Sequence, residues 1–150
     1  MDLILWRHCE AEPGEPDLGR RLTSKGQKQA ERMAAWLDAQ LPDTSRILVS
    51  PADRAQQTAV ALQRKFRTAP ELAPGANVAA VLGAANWPDS REPVVIVGHQ
   101  PTLGAVASFL LAGEESHWSV RKGAVWWLSN RVKEGGVAVV LKAVIGPDFV

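Results

Sequence analysis

The sequence predicts an α/β sandwich with a parallel central sheet and an antiparallel edge. Three observations carry that reading. Apolar runs at Leu3-Ile4-Leu5-Trp6, Ile47-Leu48-Val49 and Val94-Val95-Ile96-Val97 show no polar alternation, as strands covered on both faces require. Between them lie segments whose apolar residues recur at helical spacing. Late in the chain, Ala124–Leu128 and Val137–Val144 flank Lys133-Glu134-Gly135-Gly136, the pattern of a hairpin.

The elements follow in order. After the first strand, residues 9–22 carry Pro13, Gly14, Pro16 and Gly19 and read as a loop crossing the crevice at the strand ends. Thr23 is placed to cap a helix with its apolar stripe at Ala30, Met33, Ala34, Leu37 and Leu41, stopped by Pro42-Asp43. After the second strand, Ser50-Pro51-Ala52-Asp53-Arg54 reads as a helix start. Ser50 would cap, Pro51 would take the first helical position and Asp53 the capping-box position. Ala55, Ala59, Leu62 and Phe66 would form its buried stripe. Residues 67–76 are loop or a short edge strand, and Asn77–Asn86 is an Ala-rich helix candidate. Trp87-Pro88-Asp89-Ser90 reads as a turn. A last helix through Leu103, Val106, Ala107, Leu110 and Leu111 stops near Gly113, followed by a polar loop over 114–122.

Composition narrows the class. The 150 residues fit one domain spanning 1–150, able to bury about two-thirds of its unfolded surface. The net charge is +1, so no polybasic tract argues for nucleic acid. No apolar run reaches membrane-spanning length and no secretory leader is visible, so a cytoplasmic protein is expected. Cys9 is the single cysteine, which excludes an internal disulfide and suits a reducing compartment.

Polar groups stand where three strands end: Arg7-His8, Arg54 and His99. Carboxyl ends of parallel neighbours share a rim, and that rim is where ligands bind in open α/β sheets. Two arginines and two histidines on one rim suit an anion, and guanidinium forks match phosphate oxygens. Imidazole offers a lone pair near neutral pH, because its unperturbed pKa is about 6.5. The chemistry inferred is attack of His8 on phosphorus, a phospho-His8 intermediate and then hydrolysis, with Arg7, Arg54 and His99 holding the oxygens.

These residues carry a resemblance. Arg7-His8-Cys9 after an apolar strand, Ser50-Pro51-Ala52-Asp53-Arg54-Ala55-Gln56-Gln57-Thr58 and Gly98-His99 together resemble the histidine phosphatase superfamily. Its signature is Arg-His-Gly, then Ser-Pro-x-x-Arg-Ala-x-Gln-Thr, then a late Gly-His pair. Arg20-Arg21-Leu22-Thr23, Pro70-Glu71-Leu72 and the short length resemble the small SixA-like branch. The resemblance implies a three-layer α/β/α sandwich of the phosphoglycerate-mutase-like kind, with His8 as nucleophile. It implies a phosphate pocket of Arg7, Arg54 and His99 with Arg20 as a further contact, and neither cofactor nor metal. The implied substrate is a phosphohistidine on a small phosphotransfer protein. Larger family members carry an acidic residue after the second arginine. Glu71 is its counterpart by position, and Glu10 is nearest the nucleophile in sequence. Cys9 stands where the family has glycine, and Arg21 where the branch has proline.

Other readings stay open at this point. A phosphomonoesterase acting on a small phosphorylated metabolite uses the same residues, although no large insertion between Arg54 and His99 closes the crevice. A non-catalytic module that binds phosphate or phosphohistidine is the alternative of a different class. A metal site is disfavoured, since the arginines would repel a cation. His117 and the Arg121-Lys122 pair read as solvated surface, the pair with a rim contact to a protein substrate as its second reading. Cys9 reads as an inert buried residue, against a redox thiol activated by the arginines. Trp126 and Trp127, adjacent in a strand, must face opposite sides.

Overall fold

A computed structural model describes residues 1–150, apart from the side chains of Val132 and Lys133. Six strands form one sheet in the order β3-β2-β4-β1-β5-β6. They are β1 (Asp2–Arg7), β2 (Arg46–Val49), β3 (Arg67–Thr68), β4 (Val94–Gly98), β5 (Val125–Lys133) and β6 (Gly136–Ile145). β1 through β4 are parallel, while β5 runs antiparallel to β1 and β6 antiparallel to β5. The four helices are α1 (Ser24–Gln40), α2 (Asp53–Val60), α3 (Val78–Ala85) and α4 (Thr102–Ala112). Among the described residues no helix is long and apolar enough to cross a membrane.

Strand alternation sorts the chain into three layers. Leu3, Leu5, Val94 and Ile96 point to the face covered by Val78 and Val81 of α3 and by Leu103 and Val106 of α4. Ile4, Trp6, Val95 and Val97 point to the opposite face, against Met33 and Leu37 of α1 and Ala55 and Ala59 of α2. Each large side chain so buried is worth roughly 1.5–3 kcal/mol against exposure, and these strand residues retain no accessible surface. Trp126 joins the first face and Trp127 the second, as adjacency in a strand demands.

Helix ends follow local chemistry in most places. The Thr23 side chain accepts from the Gly26 amide, Asn77 caps α3 through the Ala80 amide, and Gly113 closes α4 in the left-handed region. The start of α2 departs from expectation. It begins at Asp53, its N-cap is Ala52 with no side-chain bond, and Ser50 lies two residues outside the cap position. The Ser50 hydroxyl does accept from the Ala52 amide at 3.2 Å, but its other contact is the ring of His99 at the end of β4. Phe66 also falls outside the stripe assigned to it, since α2 ends at Val60, and it packs half-buried against the same face from the following segment.

The sheet order explains the convergence of the polar residues. β4 lies between β1 and β2, so Arg7, Val49 and Gly98 end side by side on one rim. The segment between β1 and α1 crosses that rim, pinned by a bridge between Ala11 and Leu22 and by a single 3-10 turn at Asp17–Gly19.

Candidate active site

His8 leaves β1 at the rim, and three backbone bonds fix its position. Its amide donates to Gly98 O at 3.1 Å, which ties the end of β1 to the end of β4. The Gly123 amide donates to both Arg7 O and His8 O, each at 3.1 Å, while the Trp6 indole donates back to Gly123 O. Gly123 sits at φ +76°, where a side chain would be strained, and a Cβ there would also press on Pro147 and Cys9. Cys9, where the family has glycine, is fully buried beside it. Its amide donates to Thr58 Oγ1, and Thr58 donates in turn to Arg54 O. One hydroxyl thus couples the loop that carries His8 to the first turn of α2.

The tautomers of both histidines follow from their partners. His8 Nδ1 lies 2.8 Å from Cys9 O. A carbonyl only accepts, so Nδ1 carries the proton and Nε2 the lone pair. Burial pushes the His8 pKa down to about 3, helped by His99, Arg54 and Arg7 and opposed by the Cys9 carbonyl. The ring is therefore neutral at physiological pH. His99 Nε2 lies 2.7 Å from Ser50 Oγ. Ser50 is fully buried and the other partner of its oxygen, the Ala52 amide, can only donate, so among the described residues Nε2 is the acceptor left for the hydroxyl proton and His99 carries its own proton on Nδ1. Burial, reinforced by Arg54, lowers the His99 pKa to about 4. The two rings stand 5.1 Å apart at an interplanar angle of 53°.

Two guanidinium groups complete the cluster. Arg7 donates from Nη1 to Val120 O at 2.9 Å, and its pKa is lowered by burial and by the charge of Arg54. Arg54, 4% exposed, donates to the backbone oxygen of Asp17 at 2.8 Å and to its carboxylate at 3.2 Å. Arg7 Nε, Arg54 Nε and His99 Nδ1 are all buried and find no hydrogen-bond partner among the described residues. An unsatisfied buried donor costs about 1–3 kcal/mol. Three such donors on one rim, two of them on mutually repelling cations, form a set that an oxyanion can satisfy. Among the described residues no three His, Cys, Asp or Glu side chains group to hold a metal ion.

The other expected residues are placed differently. Arg20 is joined to the cluster through Asp17, whose carboxylate it meets at 3.1 Å, and it also donates to Glu12 O. Asp17 thus spans two arginines, which hold its carboxyl below the usual range. Glu10 accepts the Thr23 hydroxyl at 2.8 Å at the start of α1. Glu71, in a 3-10 turn after β3, lies 3.9 Å from Arg67. Neither carboxylate hydrogen-bonds to His8, His99, Arg7 or Arg54. Sequence reasoning missed Asp17 and Ser50 as site residues. Asp17 lies three positions before Arg20, a spacing that a loop turn brings into contact; Ser50 was visible in the motif but assigned to the helix cap.

Comparison with known proteins agrees with this geometry. The family model for the histidine phosphatase superfamily (branch 1) matches residues 3–77. The phosphohistidine phosphatase SixA of Escherichia coli is 31% identical over 123 residues, covering 76% of each chain. The chain belongs to the histidine phosphatase superfamily. A SixA structure from Nakamurella multipartitia superposes at TM-score 0.80 with 25% identity, over 97% of this chain and 95% of the other. The protein histidine phosphatase SixA complexed with tungstate superposes at 0.78 with 26% identity, over 99% of both chains. The SixA-like resemblance and the phosphoglycerate-mutase-like sandwich both hold.

Proposed function

We propose that this chain is a phosphohistidine phosphatase that works without a metal, through a phosphoryl group carried on His8 Nε2. The observation that carries the reading is the neutral His8 ring, its Nδ1–H held by Cys9 O, beside three buried donors without partners. The E. coli relative, a phosphohistidine phosphatase by name, supplies the substrate class. A phosphohistidine-bearing protein in the cytoplasm is the substrate proposed here.

The steps follow from the side chains. Phosphoryl oxygens settle among Arg7, Arg54 and His99 Nδ1–H, with Arg20 at the rim. His8 Nε2 attacks phosphorus in line with the substrate's P–N bond, which breaks as the new P–N bond forms. The substrate imidazole leaves with its own ring proton, so no strong acid is required of the protein, and Glu10 and Glu71 are given no part in this step. The His8 ring gains positive charge as its bond to phosphorus forms, and the Cys9 carbonyl stabilises that charge through Nδ1–H. Water then attacks phosphorus, the bond to Nε2 breaks, phosphate departs and His8 returns neutral.

Incubation with a radiolabelled phosphohistidine protein, quenched within the first turnover, tests the proposal. Label that is acid-labile and base-stable, absent from His8→Ala and formed at full rate in EDTA, is expected. Turnover surviving in His8→Ala, or lost with chelator, would overturn it.

A further inference from the structure

Beside Arg7 a groove of about 780 Å³ opens along the sheet toward β6. It is far larger than a phosphoryl group requires. Arg7 belongs both to its wall and to the set of buried donors beside His8, so one side chain borders the groove and the pocket alike. Its apolar surface includes Trp126, Val144 and Phe149, the last 84% exposed. Its edge is cationic. Arg121 and Lys122 are exposed, line the groove and have no carboxylate within salt-bridge distance among the described residues. They directly follow Val120, whose carbonyl holds the Arg7 guanidinium. Asp148 is the carboxylate in the wall.

Free phosphohistidine would leave this surface unused. An apolar strip with two unpaired cations, starting one side chain from the phosphorus site, complements a peptide that is both acidic and apolar. A small phosphorylated metabolite lacks the apolar area, and the chain's net charge of +1 offers nucleic acid no extended basic track. We propose that the groove docks an acidic, apolar segment flanking the phosphohistidine of the protein substrate. Arg121 and Lys122 then select the segment and Phe149 covers its apolar side. This rests on the phosphohistidine reading for what enters the His8 pocket; the groove contributes the recognition of what lies beside it.

Two readouts keep the two readings apart. The first is kcat/KM for phosphate release from two phosphohistidine peptides, one flanked by Glu and Leu, the other by Lys and Ser. At least a tenfold preference for the acidic, apolar peptide is expected, falling to under threefold in an Arg121→Ser/Lys122→Ser double variant. The ratio cancels any general change in the field at the phosphate. Equal rates for the two peptides, or a preference that persists in the double variant, would overturn the groove. The second is fluorescence anisotropy of the same peptides without phosphate, which does not need turnover. Binding of the acidic peptide alone, weakened by the double variant and by Phe149→Ser, supports the groove even if no phosphohistidine is hydrolysed. Failure to bind either peptide, or equal binding of both, sinks it.

Discussion

The Ser50 hydroxyl donates to His99 Nε2 across 2.7 Å and so decides which His99 nitrogen faces the rim with a proton. The direction follows because the other partner of the buried Ser50 oxygen, the Ala52 amide, is itself a donor, which leaves His99 Nε2 as acceptor for the hydroxyl proton. The serine at the end of β2 therefore acts on the histidine at the end of β4, and the parallel neighbours share one function.

Ser50→Ala removes that donor and leaves His99 free to take either tautomer. A hydrogen bond of this kind is worth about 0.5–1.5 kcal/mol, so kcat/KM should fall roughly two- to tenfold. Nitrogen NMR of His99 should show the proton shared between Nδ1 and Nε2 in the variant and confined to Nδ1 in the parent. An unchanged tautomer in Ser50→Ala would refute the role.

Stability should respond to pH through the two histidines. Both folded pKa values, about 3 for His8 and about 4 for His99, lie below the unfolded value near 6.5. Below about pH 6.5 the unfolded chain binds protons that the folded chain refuses, so stability falls as pH drops toward the folded pKa values. Two such groups give a slope of about 2.7 kcal/mol per pH unit at its steepest. Urea unfolding between pH 7 and 4.5 should show a shallower fall in a His8→Asn/His99→Asn variant. Equal slopes in both proteins would contradict the assignment of neutral buried rings.

Much of this was legible in the sequence because the cues were local. The unbroken β-branched run of β4 announces a strand covered on both faces, and Thr23 reads as a cap because its bond to Gly26 spans three residues. What was not legible depends on contacts across the fold. Nothing in the sequence placed β4 between β1 and β2. Ser50 was assigned to a helix cap because its neighbours follow cap grammar, whereas His99, 49 residues away, claims its proton. Asp17 was passed over because its partner Arg54 comes from another element.

Replacing Arg54 by Lys keeps the charge but removes the fork. Its Nε is one of the three buried donors, and its two Nη groups hold Asp17 over the rim. A point charge cannot make both sets of bonds. Tungstate or phosphate affinity should weaken by about 2 kcal/mol, roughly thirtyfold, with a rise in KM. Calorimetric titration checks it, and retained affinity would show that charge alone suffices.

Cys9 should be inert while the protein is folded. Burial pushes its thiol up to about 12, against a smaller opposing effect of the Thr58 bond, and the side chain has no accessible surface. The arginines nearby do not activate it, contrary to the redox alternative. A thiol reagent at pH 8 should label the chain only after urea unfolding. Peroxide should inactivate Cys9→Ser as fast as the parent, and a protected variant would restore the redox reading.

Three helical glycines separate packing from propensity. Helix propensity alone favours alanine over glycine by about 1 kcal/mol. At Gly83, an exposed position of α3, a Cβ meets nothing within 4 Å, so Gly83→Ala should stabilise by roughly that amount. At Gly26, in the first turn of α1, a Cβ would run into the carbonyl oxygen of Glu10; at Gly104, in α4, into that of Trp118. Both obstacles are backbone, which cannot swing aside as a side chain does. Gly26→Ala should therefore destabilise by about 1–3 kcal/mol despite the gain in propensity. It should also lower turnover, because Glu10 follows Cys9 in the loop that sets the His8 ring. Urea midpoints for the three alanine variants, with phosphatase rates beside them, test the ordering. A stabilised Gly26→Ala would show that α1 and the loop after His8 are less tightly joined than their contact implies.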